Sequence, residues 1–390
     1  MPGFPVARRV PHERTHHGHT FVDDYEWLRD KESSEVLAHL EAENAWTKER
    51  TAHLEGLRDT LFGEIKARTK ETDLSVPQRV GDWWYYGRSI EGKQYGVSCR
   101  CPVAGPDDWA PPKLDAETDV PGEEVLLDLN ELAEGHAFFS LGTASVSPDG
   151  NLLAYSTDTV GHERYLLRVK DLRTGELLPD EVPGTLGPAV WDLAGTELFY
   201  TTVDETWRTD KVWRHRLGSP VDADEVVHHE TDERFWVSVG RTRSDRLIVV
   251  ASGSKTTSEY KVRDAAAPDG EFRVVAPRRQ GVEYAVEHAV VGGEDRLLVL
   301  HNDGAENYEL ATAPLDATSH EQWEPLLPHD PAVRLEDVNA FATHVVVTAD
   351  DDGRDVDRGE HVAQVRRGLG DEHLEQRLGR IHHAPHHHAR

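Results

Sequence analysis

Residues 144–178 read ASVSPDGNLLAYSTDTVGHERYLLRVKDLRTGELL, and this stretch decides the fold. Ser147-Pro148-Asp149-Gly150 is a turn signal, because Pro presets a helical φ and Gly accepts a positive one. Leu152-Leu153-Ala154-Tyr155 follows, apolar on both faces, as in a strand covered on both sides. After a polar turn at 158–163, Tyr165, Leu167 and Val169 alternate with Leu166, Arg168 and Lys170, a period-2 strand with one face wet. Residues 171–175 turn again, and Leu177-Leu178 opens another strand.

The unit recurs. Residues 195–200 (GTELFY) restate 150–155, and 211–217 restate the alternating strand. Further copies begin at Asp245, Asp295 and Thr343, and Leu153, Leu198, Leu247 and Leu297 follow one another at 45, 49 and 50 residues. Repeats of about 40–50 residues with several short strands each mark β-propeller blades. The spacing predicts a mainly β chain: an incomplete β-propeller of five blades, near 75–129, 136–180, 187–230, 234–276 and 283–328, plus part of a sixth that begins near Arg334. A β-sandwich with coincidental spacing is the competing architecture.

Composition narrows the function. The 390 residues are 37% hydrophobic, enough for a packed core, and carry a net charge of −29. That balance argues against nucleic acid, whose binding rests on Lys and Arg. No segment approaches the about 18 apolar residues of a membrane span, so no membrane partner is expected. The first twenty residues lack the apolar core of a signal peptide. The two cysteines, Cys99 and Cys101, sit two apart, a poor geometry for a disulfide within a strand. They read as packed thiols in a reducing cytoplasm.

Around the repeats lie two other regions. Residues 1–72 read as a helical arm, with Ser33-Ser34 as N-cap, Val36, Leu37 and Leu40 at helical spacing, then Leu54, Leu57, Leu61 and Ile65. His12, His16, His17 and His19 match no standard metal spacing and read as an exposed loop. Residues 73–347 form the propeller, opening with a hairpin of 78–86 and 93–101. Its run Trp83-Trp84-Tyr85-Tyr86 suits packing between blades better than base stacking. Residues 348–390 are rich in Asp, Arg, Gly, His and Glu and show no sustained strand period, so a disordered tail or a shifted reading frame is expected there. The histidines at 382–388 are interrupted by Ala384-Pro385, unlike a purification tag.

Asp24-Tyr25-Glu26-Trp27-Leu28-Arg29-Asp30 resembles the opening motif of the prolyl oligopeptidase family. Asp73 to Pro77, Gly81 to Tyr86, Glu91 to Tyr95, Ser147 to Gly150 and Lys170 to Gly175 continue the resemblance in the same order, most like the oligopeptidase B branch. The resemblance covers residues 5–347. It implies a helical arm that packs on an α/β-hydrolase domain. It also implies a propeller lid that admits oligopeptides, and serine peptidase chemistry after Arg or Lys by a Ser-His-Asp triad.

The residues themselves supply no such triad. A nucleophile elbow needs Gly-x-Ser-x-Gly for its sharp strand-to-helix turn, and the sequence has none. Ser252-Gly253-Ser254-Lys255 is the nearest cluster and reads as a hairpin turn. No catalytic, cofactor-binding or metal residue is therefore assigned, no cofactor is expected, and the substrate-binding residues are unknown at this level. The expected role is gating and sorting of oligopeptides, cationic ones included, for a hydrolase domain, with this chain inactive alone. The alternatives are a stand-alone propeller that binds a protein or peptide, and a truncated product without function.

Overall fold

The computed structural model describes residues 3–116, 118, 120–267, 269–351 and 361–366. The chain divides into two compact units. One comprises residues 1–74, 88–93 and 115–118; the other holds the rest.

The first unit contains the arm. Helix Ser34–Thr51 runs through a 3₁₀ turn, Ala52–Leu54, into helix Glu55–Arg68. The helical spacing and the position of Ser33 as N-cap are as expected, although Ser33 makes no side-chain cap bond. Residues 12–23 differ from the expected loop: His12–His16 pairs antiparallel with His19–Asp23. The turn between them has positive φ at both His17 (53°) and Gly18 (81°), the geometry whose twist suits a two-residue hairpin. The motif around Trp27 forms a 3₁₀ turn, Glu26–Arg29. It is tied down by Trp27 Nε1 donating to Arg8 O at 3.0 Å and Arg14 pairing with Glu26 at 3.0 Å.

The second unit is the β-propeller. Its first blade joins Gln78–Val80, Trp83–Ser89, Val97–Pro102 and Glu124–Asp128. The expected single strand at 78–86 is split, because Gly81 takes φ 58° and turns the chain back on itself. The second and third blades share one seven-stranded sheet from Ser140–Val146 to Glu225–His229. The strand expected to open at Leu177-Leu178 continues past the blade boundary placed near 180–187: the 15-residue strand Leu177–Trp191 passes from one blade to the next. Gly184 and Gly187, at φ 73° and 75°, lie at two of its three register shifts. Four-stranded sheets at 236–274 and 284–327 are the fourth and fifth blades. Val333–Ala340, His344–Asp351 and His361–Arg366 form part of a sixth. The strand period expected to end at Val347 thus runs to Asp351, and 361–366 pairs beside it. That short segment has only Val362, Ala363 and Val365 as apolar residues between charged flanks, too brief to register as a period. Residues 352–360 and 367–390 lie outside the described residues.

The second strand of each blade explains the stack. Successive strand residues face opposite ways. Leu153 and Tyr155 pack back on Leu126 and Leu127 of the first blade, whereas Ala154 packs forward on Ala189, Trp191 and Leu198. Leu198 and Tyr200 face back and Phe199 faces forward, to Val237, Ile248 and Val250. Leu297 and Val299 face back and Leu298 and Leu300 forward. Ile248, rather than Leu247, is therefore the counterpart of Leu153 and Leu198.

The preceding turns carry the same logic. Ser147 is buried, and its Oγ accepts from Leu152 N at 2.9 Å. In the next blade Asp192 accepts from Glu197 N at 2.9 Å, and in the one after Thr242 Oγ1 accepts from Leu247 N at 3.0 Å. Each turn also has one positive φ: Gly150 75°, Gly195 67°, Asp245 61°. A buried side-chain oxygen thus satisfies the amide that the turn frees. Between blades, Arg100 stacks on Trp83 at 3.8 Å, pairs with Glu124 at 2.7 Å and donates to Gly150 O at 2.6 Å.

Leu198 is fully buried, so Leu198→Ala is expected to cost about 2–5 kcal/mol in urea unfolding. Leu177→Ala, at an exposed position, should stay within about 0.5 kcal/mol. A loss at Leu198 no larger than at Leu177 would contradict the back-and-forth packing.

Candidate functional site

The Ser/Gly cluster singled out in the sequence lies at the end of strand Leu247–Gly253. Ser254 N and Oγ donate to Thr257 O at 2.8 and 3.1 Å, so a tight turn is present but at 254–257, two residues later than expected, with Ser252 and Gly253 still in the strand. Ser252 itself is buried and does meet a histidine: His228 Nε2 lies 3.0 Å from its Oγ. The chemistry runs the wrong way for a nucleophile. Lys261 Nζ sits 3.0 Å from His228 Nδ1, and an ammonium only donates. Nδ1 is then the acceptor, Nε2 carries the proton, and His228 donates to Ser252. A general base would need the opposite tautomer.

Burial, and after it the Lys261 charge, push His228 down to about 4. Burial, with His320 and Arg279, does the same to His301, also to about 4. Both folded values lie below the ordinary value of about 6.5. The fold therefore favours the neutral rings, and this contribution to stability is full above pH about 6.5 and is lost as the pH falls toward 4. Melting temperature should drop over that window, and the combined variant His228→Gln, His301→Gln should show a shallower drop. An unchanged pH slope in that variant would contradict this assignment.

The other residues noted in the sequence are dispersed. His12, His16, His17 and His19 lie in the exposed hairpin of the arm, with His16 stacked 6.0 Å from Phe21. Cys99 and Cys101 are buried thiols in the first blade, not joined in a disulfide, and burial raises the Cys101 thiol. The Trp83 to Tyr86 run is packed: Trp84 and Tyr86 are buried and Tyr85 lies against the cluster shared with the second blade. Histidines 382–388 lie outside the described residues. Among the described residues, no group of three or more His, Cys, Asp or Glu could hold a metal ion.

What the propeller does build is a pair of adjoining cavities. The first strand of each sheet is an edge strand. Beside the start of the fourth blade's first strand, Trp236–Arg241, opens a cavity of about 750 Å³, with Arg234, Phe235, Trp236, Lys255, Tyr260 and Gln280 on its wall. Trp236, which lines it, is 55% exposed. Asp232 holds Arg234 bidentately, Nε to Oδ1 at 2.9 Å and Nη2 to Oδ2 at 2.6 Å. That pairing lowers Asp232 to about 2. Gln280 Nε2 reaches Thr256 Oγ1 at 3.5 Å and braces the 254–257 turn.

The second cavity, about 440 Å³, shares Gly253, Ser254 and Tyr260 with the first and extends to Glu283, Tyr308, Arg334 and Glu336. There Tyr308 donates to Glu283 at 3.0 Å, and Arg334 lies 5.5 Å from the Tyr308 ring. The two cavities thus draw on three consecutive blades. Their walls can bind through aromatic faces, hydroxyls and charges, and they hold no activated nucleophile. Sequence reasoning missed these residues, since Trp236, Tyr260, Tyr308 and Arg334 belong to no local motif.

Comparison with known proteins places this architecture. The family described as "Prolyl oligopeptidase, N-terminal beta-propeller domain" matches residues 5–357. Dipeptidyl aminopeptidase BI of Pseudoxanthomonas mexicana is 40% identical over 348 residues, 88% of this chain and 48% of that protein. Protease 2 of Moraxella lacunata is 38% identical over 317 residues, 81% of this chain and 44% of that protein. Among solved structures, oligopeptidase B from Trypanosoma brucei with covalently bound antipain superposes with a TM-score of 0.82 at 31% identity. That match covers 94% of this chain and 51% of that one. The chain spans about half the length of the curated relatives it matches.

Proposed function

The chain belongs to the prolyl oligopeptidase family, and on that premise we propose that it serves as the arm and propeller of an oligopeptidase B-like serine endopeptidase. In this reading it gates and sorts oligopeptides for an α/β-hydrolase domain that cuts after Arg or Lys. The carrying observation is the extent of the match: nearly the whole propeller aligns with proteins named as peptidases, while each of them is about twice as long. The arm supports the reading. On helix Glu55–Arg68, Leu57, Leu61 and Ile65 recur every four residues, and with Phe62 they are exposed. An apolar stripe of this kind marks a docking face, and it is where a hydrolase domain would pack. The net charge of −29 supports a preference for cationic peptides, since an acidic surface speeds their encounter.

Two measurements test the proposal. The chain alone, given an Arg-containing fluorogenic peptide and an active-site serine label, should show neither turnover nor labelling. Turnover with stoichiometric labelling would overturn the division of roles. An Arg-rich peptide should bind more tightly than a Glu-rich one at low salt. The gap should narrow near physiological ionic strength, where screening acts beyond about 8 Å. Equal binding at low salt would remove the cationic preference.

A further inference from the structure

The larger cavity departs from the charge of the molecule around it. The chain carries −29 overall, yet the charged groups on this wall are Arg234 and Lys255, and no carboxylate among the described residues lines it. Arg234 is already oriented by Asp232 through Nε and Nη2, which leaves its Nη1 edge for a ligand. Lys255 is exposed at the tip of the braced 254–257 turn and forms no ion pair among the described residues. The exposed indole of Trp236 and the ring of Tyr260 line the same cavity. Ser254, Thr256 and Gln280 add hydrogen-bonding groups. A volume of about 750 Å³ falls within the range of pockets that enclose ligands of a few hundred daltons. The Lys255 ammonium, an Arg234 guanidinium already paired with Asp232, aromatic side chains and hydroxyl and amide groups fit one chemistry: an anionic terminus attached to an apolar, amide-bearing body.

We propose that this cavity binds the free C-terminal carboxylate of a short peptide, with Lys255 and Arg234 on the carboxylate and Trp236 and Tyr260 against the residues before it. The inference rests on the reading that the propeller handles peptides, and it adds a preference that the acidic surface does not supply. The surface attracts basic side chains, while this cavity selects a peptide end over an internal chain segment. The smaller cavity, with Arg334, Glu283 and Glu336 on its wall, continues the groove toward the rest of the peptide. A positive site for the terminus within an acidic protein would orient a peptide as well as hold it.

Titration calorimetry on the 390-residue chain tests this with one tetrapeptide, aromatic at its last residue, as free acid and as C-terminal amide. The free acid should bind at least tenfold tighter. Lys255→Met should weaken the free acid about tenfold and leave the amide unchanged, and Lys255→Arg should restore most of the difference. Trp236→Ala should weaken both forms alike. Lys255 and Trp236 are exposed, so matching melting curves will show that these variants fold. Equal binding of acid and amide overturns the carboxylate site and leaves peptide handling intact. Binding of neither form overturns both. Displacement of the peptide by an equal concentration of inorganic phosphate assigns the cavity to free anions and also overturns the proposal.

Discussion

Each blade has two apolar faces, and no blade can cover both by itself. This constraint organises the second unit. The second strands direct Leu153, Leu198, Ile248 and Leu297 backward and Ala154, Phe199, Val249 and Leu298 forward. Each cluster therefore belongs to two neighbours and to no single blade. The buried oxygens of Ser147, Asp192 and Thr242 then fix where each strand starts. A shift of one residue would exchange backward and forward faces along the whole strand. Polar contacts follow the same junctions. His215 lies buried between Asp180 at 3.0 Å and Asp224 at 2.7 Å, joining the second blade to the third. Glu197 meets Arg263 of the fourth blade at 2.8 Å. Breaking one side of such a buried pair leaves an uncompensated charge and costs several times what an exposed pair contributes.

The same arrangement separates binding from catalysis. Residues deep between blades are committed to packing, so even the Ser252–His228 contact is fixed in a donor direction that cannot activate the hydroxyl. Residues on edge strands and in turns are free of that commitment. Trp236 begins an edge strand, Lys255 tips a turn, and Arg334 lies on the first strand of the sixth blade. These positions line the two cavities, and the proposed sorting role rests on them.

Much of this was legible in the sequence. The turn at Ser147 to Gly150 announces itself because its geometry needs a capping oxygen and a residue tolerant of positive φ. The doubly apolar strands announce themselves because both faces are covered. The arm was legible from helical spacing alone. Other elements carry weaker local signals. The hairpin at 12–23 depends on His17-Gly18 adopting a turn more familiar with Asn-Gly. The strand Leu177–Trp191 crosses Pro183 and two glycines, which interrupt any strand period. The strand His361–Arg366 is held by its pairing with His344–Asp351, not by its own pattern. The cavities were illegible for a different reason. Their residues come from three blades and meet only after the stack has formed, so no window of sequence contains them.

The proposed role of this chain is to sort peptides for chemistry performed by another domain. The direct measurement is to add the 390-residue chain to the separately prepared hydrolase half of a family member such as Protease 2. Hydrolysis of a short Arg peptide is then compared with hydrolysis of a folded protein of similar Arg content. The account predicts association in a one-to-one ratio, retained cleavage of the short peptide and suppressed cleavage of the folded protein. Failure to associate, or equal cleavage of both substrates with and without the chain, would contradict it.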